Sequence, residues 1–237
     1  MPALNALGTI RTYLKQIVYG GNDGIITTFA IVAGFAGAQA QGTAAFGALA
    51  VLVFGMANLT ADAVSMGLGE FLSGRSNRDL FRARHAEAEA QAKSDPEAAA
   101  IRLAQHLTDQ GLTPHDARHA ADHLADSPRL MADLSLRYDH GMEAPEAHNL
   151  AARAWMTFLA FLVFGVIPIL PYVLAPQAEA TFAISLAATA LALGLLGLLR
   201  WSATQETLRR CLGETLTLGG VCAAVAYGAG RVVAGLG

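Results

Sequence analysis

The chain has 237 residues, 54% of them apolar and only 15% charged, and its 19 acidic and 16 basic side chains leave a net charge of −3. Soluble globular domains carry about a quarter charged residues, so the composition excludes an ordinary soluble enzyme. With a pI near 6.1 it also excludes a nucleic-acid binder, and two cysteines, Cys211 and Cys222, are too few for a disulfide scaffold or a Cys-based zinc site.

In chain order, long apolar runs predict membrane helices over 17–38, 44–73, 153–174, 180–200 and 213–235. Each is close to the roughly 20 residues that cross about 30 Å of hydrocarbon. The first is not a cleavable signal peptide, because Asp23 and several glycines interrupt its apolar core. The string Gly20-Gly21-Asn22-Asp23-Gly24 predicts a glycine-loosened start to that helix, a turn being the alternative.

Between the second and third runs lies a polar block. Arg78–Ser94 is rich in Ala, Glu and Arg, which favour helix. Asp95-Pro96, Thr113-Pro114 and Ser127-Pro128 each open a further helix, and Gly111 and Gly141 close two of them. The expected fold class is therefore all-α: five transmembrane helices with a small helical bundle inserted between the second and third. The expected division is 1–74 (the first two membrane helices), 75–150 (the bundle) and 151–237 (the last three).

The charges are segregated. Arg75 to Arg153 holds ten of the sixteen bases and all seven histidines. Arg11 and Lys15 precede the first helix, Arg200, Arg209 and Arg210 follow the fourth, and only Arg231 falls on the other side. The positive-inside rule then puts the N-terminus and the bundle in the cytoplasm and the C-terminus opposite. Arginine outnumbers lysine 14 to 2, a bias that points to a GC-rich genome and a bacterial cell membrane.

Asp23, Asp62 and Glu70 fall within the predicted spans. A carboxylate in mid-membrane costs about 2.5–3.5 kcal/mol on insertion scales, which makes each a functional candidate. Asn58, Asp62, Met66 and Glu70 recur every fourth residue and so share one helix face. Oxygen ligands hold divalent cations, and a thioether biases the choice toward transition metals. Carboxylates in low dielectric also take up protons more readily, so the same groups can carry them. The bland alternative is that Asn58 and Asp62 bond neighbouring helices while Met66 packs.

Four segments together resemble the vacuolar iron transporter family. They are Tyr19 to Phe29 with Asn22-Asp23-Gly24, Ala61 to Ser73 with Ser65-Met66 and Gly69-Glu70, Gly165 to Tyr172 with Pro168 and Pro171, and Gly219 to Arg231 with Tyr227-Gly228 and Gly230-Arg231. The resemblance covers nearly the whole chain in the same order, without the ferritin-like domain that some members carry. It implies a homodimer of five-helix subunits with its pathway at the subunit interface, exchanging Fe2+, often also Mn2+, for protons. It further implies metal and proton roles for Asp23, Met66 and Glu70, while Asp62 rests on the stripe alone.

Family members collect metal in the inserted bundle with glutamates and methionines. Here Glu87, Glu89 and Met131 fall in the matching stretches, with His85 beside the glutamates. The next helix instead offers Ile101-Arg102-Leu103 where acids are expected. Histidine is a candidate substitute: His119 and His123, one turn apart, could form a pair completed by an acid from another helix. Solvated surface histidines are the plainer alternative. Trp155 and Tyr172 suit interfacial anchors.

The expected function is a proton-coupled antiporter that moves Fe2+, with Mn2+ as a second cargo, out of the cytosol through the lipid bilayer. A passive divalent-metal channel and a membrane-anchored metal-binding or sensing module are the alternatives. No nucleophile–base set, phosphate loop or cofactor fingerprint is present, so neither an enzyme nor a bound cofactor is expected.

Overall fold

The computed structural model describes residues 12–38, 44–145, 149–175, 180–204 and 206–236. Arg11, used above to orient the chain, lies outside them. Among the described residues the structure is all helix, without strands. The helices are α1 (Leu14–Ala38), α2 (Ala44–Ser94), α3 (Pro96–Asp109), α4 (Pro114–Ala125), α5 (Pro128–His140), α6 (Leu150–Gly165), α7 (Leu170–Leu174), α8 (Thr181–Ala203) and α9 (Leu208–Leu236). Three of them, α2, α8 and α9, are long and apolar enough to cross a membrane, and α6 is apolar but shorter. The chain forms two compact units, one made of the residues up to Phe71 and from Asn149 onward, the other of Leu72–His148.

In the first unit α1 is the central helix, packed against α6, α9 and α8. Its glycines let it approach so closely. A Cβ on Gly20 would stand 2.7 Å from the backbone oxygen of Thr157, and one on Gly24 would strike the Phe161 carbonyl. At the other end of α1, a Cβ on Gly230 of α9 would strike the backbone of Gly34. Small residues that bring backbones together are the usual packing device of membrane helices, where burial of apolar surface drives little. Around these crossings, Phe29, Val32, Val51, Leu59, Phe161, Ile169 and Tyr172 form one buried cluster, and Ile25, Leu193 and Leu196 another. Many large apolar residues point outward instead, among them Phe54, Leu68, Leu191, Leu195, Val225 and Val233. Such a surface suits lipid or another protein rather than water.

Three expectations need correction. The glycine–Asn–Asp string is neither a turn nor a helix start, because α1 begins at Leu14 and the string lies inside it. Neighbouring helices occupy the space that side chains there would need, so burial overrides the turn preference of those residues. Second, α2 does not end near residue 73 but runs unbroken to Ser94. Ser73 to Asn77 contains no proline and a single glycine, Gly74, which is too weak a signal to stop a helix. Third, the helix expected over 153–174 begins at Leu150 and breaks after Gly165, restarting as the short α7. Pro168 has no N–H to continue the ladder, and its carbonyl instead accepts a 2.5 Å hydrogen bond from the buried Ser185 hydroxyl of α8.

In the second unit the end of α2 packs with α3, α4 and α5 around Ala92, Ala100, Leu103, Ala121 and Met131. The starts follow the sequence signals: Asp95 Oδ1 accepts from Ala98 N at 2.9 Å, and Thr113 Oγ1 from Asp116 N at 3.2 Å. Gly141, at φ 59°, ends α5 in the left-handed conformation.

Candidate functional site

The four residues of the α2 stripe, Asn58, Asp62, Met66 and Glu70, are all half-buried. On one side of them Leu59, Ala63 and Gly67 are buried, and on the other Val64 and Leu68 are exposed. The stripe thus runs along the seam between the packed and open faces of α2. Asn58 Nδ2 donates to Asp62 Oδ2 at 2.6 Å, which orients that carboxylate along the helix. Met66 packs at the margin of the cluster that contains Phe161 and Leu59.

Asp23 faces this region from α1. It is half-buried, and the Asp62 carboxylate lies within electrostatic reach of it. Thr27 Oγ1 donates to the Asp23 backbone oxygen at 2.8 Å, but no described residue donates to its carboxylate. Near it, Asn22 Oδ1 and Thr28 Oγ1 are buried without a hydrogen-bond partner among the described residues. Without a cationic partner among the described residues, a carboxylate in an apolar bundle is costly as a bare anion, a cost that a bound cation or proton would relieve.

Glu70 is held quite differently. Arg153 Nε and Nη2 lie 2.9 and 2.6 Å from Glu70 Oε1, and Gln16 Nε2 donates to the same oxygen at 3.1 Å. The two charged side chains are about one-fifth exposed, 20% for Arg153 and 21% for Glu70, and Gln16 is buried. Sequence reasoning assigns Arg153 to the polar block and ignores Gln16. A signal existed: Arg153 is the only Lys or Arg between Arg137 and Arg200, a lone base at the mouth of an apolar run.

The bundle brings a different set together from the one expected. His85 Nε2 lies 3.0 Å from Asp133 Oδ1, and its Nδ1 is 3.9 Å from Glu89 Oε2. These carboxylates flank opposite ring nitrogens, so they cannot share one ion with His85. Glu89 is already paired with Lys93 at 2.7 Å, which holds its carboxyl below the usual range. Glu87 pairs with Arg84 on an exposed face. Met131 is buried in the apolar core of the bundle. His119 and His123 are exposed, and His119 lies against the ring of His115. Among the described residues no three His, Cys, Asp or Glu side chains converge to hold one ion.

A second histidine, His106, makes a polar link between two helices of the bundle. Its Nε2 sits 2.5 Å from Asp139 Oδ1, joining α3 to α5, and Ser135 Oγ donates to Asp139 Oδ2 at 2.7 Å. Burial pushes the Asp139 carboxyl upward, but the bonds from Ser135 and His106 outweigh it and hold the group below its usual range.

Compared with known proteins, the chain matches the VIT family over residues 14–231. It is 30% identical over 225 residues to vacuolar iron transporter 1 of Arabidopsis thaliana, covering 95% of this chain and 88% of the relative. Against vacuolar iron transporter 2 of Oryza sativa the identity is 28%, with 95% and 89% covered. The vacuolar iron transporter of Toxoplasma gondii is 29% identical over 246 residues, which span 97% of this chain and 77% of the relative. These relatives are named as transporters, not as enzymes.

Proposed function

As the chain belongs to the VIT family, we propose that it carries Fe2+ across a membrane in exchange for protons. Metal transport is the function its relatives' names support, and iron is the cargo those names carry. One observation bears most weight for this chain: Asp62, Met66 and Glu70 form a half-buried stripe on an apolar helix, with Asp23 opposite on α1. Carboxylate oxygens with one thioether suit a divalent transition metal, so Mn2+ is the second cargo.

The mechanism follows from the difference between the carboxylates. Asp23, without a donor, takes the incoming ion with Met66. Asp62, oriented by Asn58, extends the path, and Glu70 completes it. Protons arriving from the far side occupy the same oxygens, release the metal and restore the empty carrier. One subunit supplies only part of a coordination shell, and a second copy with the same stripe facing the first completes it. The working unit is therefore a homodimer of five-helix subunits, with α1 and the broken α6–α7 segment joining α2, α8 and α9 as spans. The bundle and N-terminus are cytoplasmic and metal leaves the cytosol. The arginine bias suits a GC-rich genome and supports a bacterial cell membrane as the site, although the named relatives are plant and apicomplexan proteins.

The test is reconstitution of the full chain in liposomes containing a metal-quenched dye and a pH dye. Fe2+ and protons should move in opposite directions, and Asp23→Asn, Met66→Ala and Glu70→Gln should each impair both fluxes. Fe2+ movement without proton movement would make the protein a channel. Unchanged transport in all three variants would sink the site assignment.

A further inference from the structure

The ion pair at Glu70 has a use beyond neutralising a charge. We propose that Arg153 is a tethered cation that occupies Glu70 in the empty carrier and competes with the transported metal for it. This rests on the reading of Glu70 as part of the metal path.

Three features support the competition. First, three donors crowd one oxygen of Glu70. Nε, Nη2 and the amide of Gln16 all converge on Oε1. The strongest arginine–carboxylate geometry gives each oxygen its own N–H in parallel, whereas here the two guanidinium contacts share Oε1 with the amide. Second, a guanidinium does not lose its proton in a protein. Arg153 therefore cannot leave Glu70 by becoming neutral; only another cation or a proton on Glu70 can replace it. Third, a divalent ion on Oε2 would repel a guanidinium on Oε1, so binding one expels the other.

The exchange has a structural consequence. Gln16, Glu70 and Arg153 belong to α1, α2 and α6, and the shared oxygen ties these three helices together. Replacing Arg153 by a metal opens the tie between α2 and α6, so loading the carrier and loosening that helix pair become one event. On release, the returning guanidinium helps displace the ion. Arg153 is thus a positioning residue that lowers metal affinity and speeds unloading.

The experiment measures Fe2+ binding anaerobically to the purified full-length protein, and Fe2+ transport in liposomes, for Arg153→Gln, Arg153→Lys, Glu70→Gln and the Arg153→Gln/Glu70→Gln pair. Removing a charge-assisted bond should tighten Fe2+ binding by about tenfold in Arg153→Gln. In liposomes the same variant should show a lower KM together with a lower maximal rate, because the displacing cation is missing. Arg153→Lys should stay near wild type, and in the Glu70→Gln background the arginine change should have no effect. If Arg153→Gln melts like wild type yet binds Fe2+ no more tightly, while Glu70→Gln binds it more weakly, the competition is refuted and the metal path stands. If Glu70→Gln leaves Fe2+ binding unchanged, the metal path through Glu70 fails and the competition with it. Should Arg153→Gln not fold, Gln16→Leu removes one of the three donors without touching charge. It should tighten binding by about threefold, and an unchanged affinity overturns the proposal.

Discussion

The close crossing of α1 and α6 predicts that one substitution will have opposite signs at two glycines. Gly24 and Gly194 both lie inside apolar helices, α1 and α8. Replacing glycine by alanine within a helix stabilises it by about 1 kcal/mol through backbone entropy. At Gly194 a new Cβ meets nothing within 4 Å, so Gly194→Ala should keep that gain and raise the melting temperature by about 2–4 °C. At Gly24 the new Cβ would lie against the carbonyl oxygen, carbonyl carbon and Cα of Phe161, with Gly20 held in the same way by Thr157. These are backbone atoms and cannot rotate aside, so α1 and α6 must separate. Overpacking costs up to about 3 kcal/mol and, against three backbone atoms, stands in the upper part of that range at about 2–3, while helix propensity returns about 1. The net loss is about 1–2 kcal/mol, or a fall of about 2–8 °C for a chain of this size. Thermal unfolding of the detergent-solubilised protein, followed by intrinsic fluorescence, measures both variants. Because α6 also carries Arg153, Gly24→Ala should slow Fe2+ transport as well. An unchanged or raised melting temperature for Gly24→Ala, matching Gly194→Ala, would refute the argument that backbone contact sets the spacing.

Other consequences can be measured in parallel. Since Asp139 is held below its usual range, its contribution to stability is present above about pH 4 and lost as the pH falls through the lowered value. Asp139→Asn should therefore cost about 1 kcal/mol at pH 7 and flatten the acid limb of a stability–pH curve followed by circular dichroism; parallel limbs would contradict it. Ser185→Ala leaves the Pro168 carbonyl without its donor and should destabilise the protein by about 1 kcal/mol, read as a lower melting temperature with transport retained. The double variant His119→Gln/His123→Gln should transport Fe2+ at the wild-type rate, because both rings are exposed and no third ligand joins them. A drop beyond about threefold would restore a role for the bundle in capturing metal.

The parts of the fold legible in the sequence were those governed by local rules. Apolar runs marked α8 and α9, and Asp95-Pro96, Thr113-Pro114 and Ser127-Pro128 marked the starts of α3, α4 and α5 to the residue. The spacing of Asn58, Asp62, Met66 and Glu70 placed them on one face because helical period alone decides that. Misread features depended on partners distant in sequence. Gly20 to Gly24 carry a turn signal that α6 and α8, more than a hundred residues later, override. Arg153 is separated from Glu70 by 83 positions, and charge counting gives no way to join them. His85 and Met131 have the right chemistry for metal, but packing turns the first toward Asp133 and buries the second. Residue type suggests a ligand, whereas convergence in space decides one.

The 83-residue separation between Glu70 and Arg153 also imposes an order on biogenesis. At about 5–20 residues per second, the ribosome needs roughly 4–17 seconds after Glu70 to produce Arg153. Gln16, 54 positions upstream of Glu70, is already made, so in that interval the amide is the one member of the final trio available to the carboxylate. Helices α1 and α2 must therefore wait as a partly satisfied hairpin at the membrane while the whole bundle is synthesised. The arrival of α6 then ends the wait by delivering the compensating charge. A variant lacking Arg153 would leave this nascent hairpin without its last clasp, and its deficit would appear in the yield of inserted protein before it appeared in the activity of the finished one.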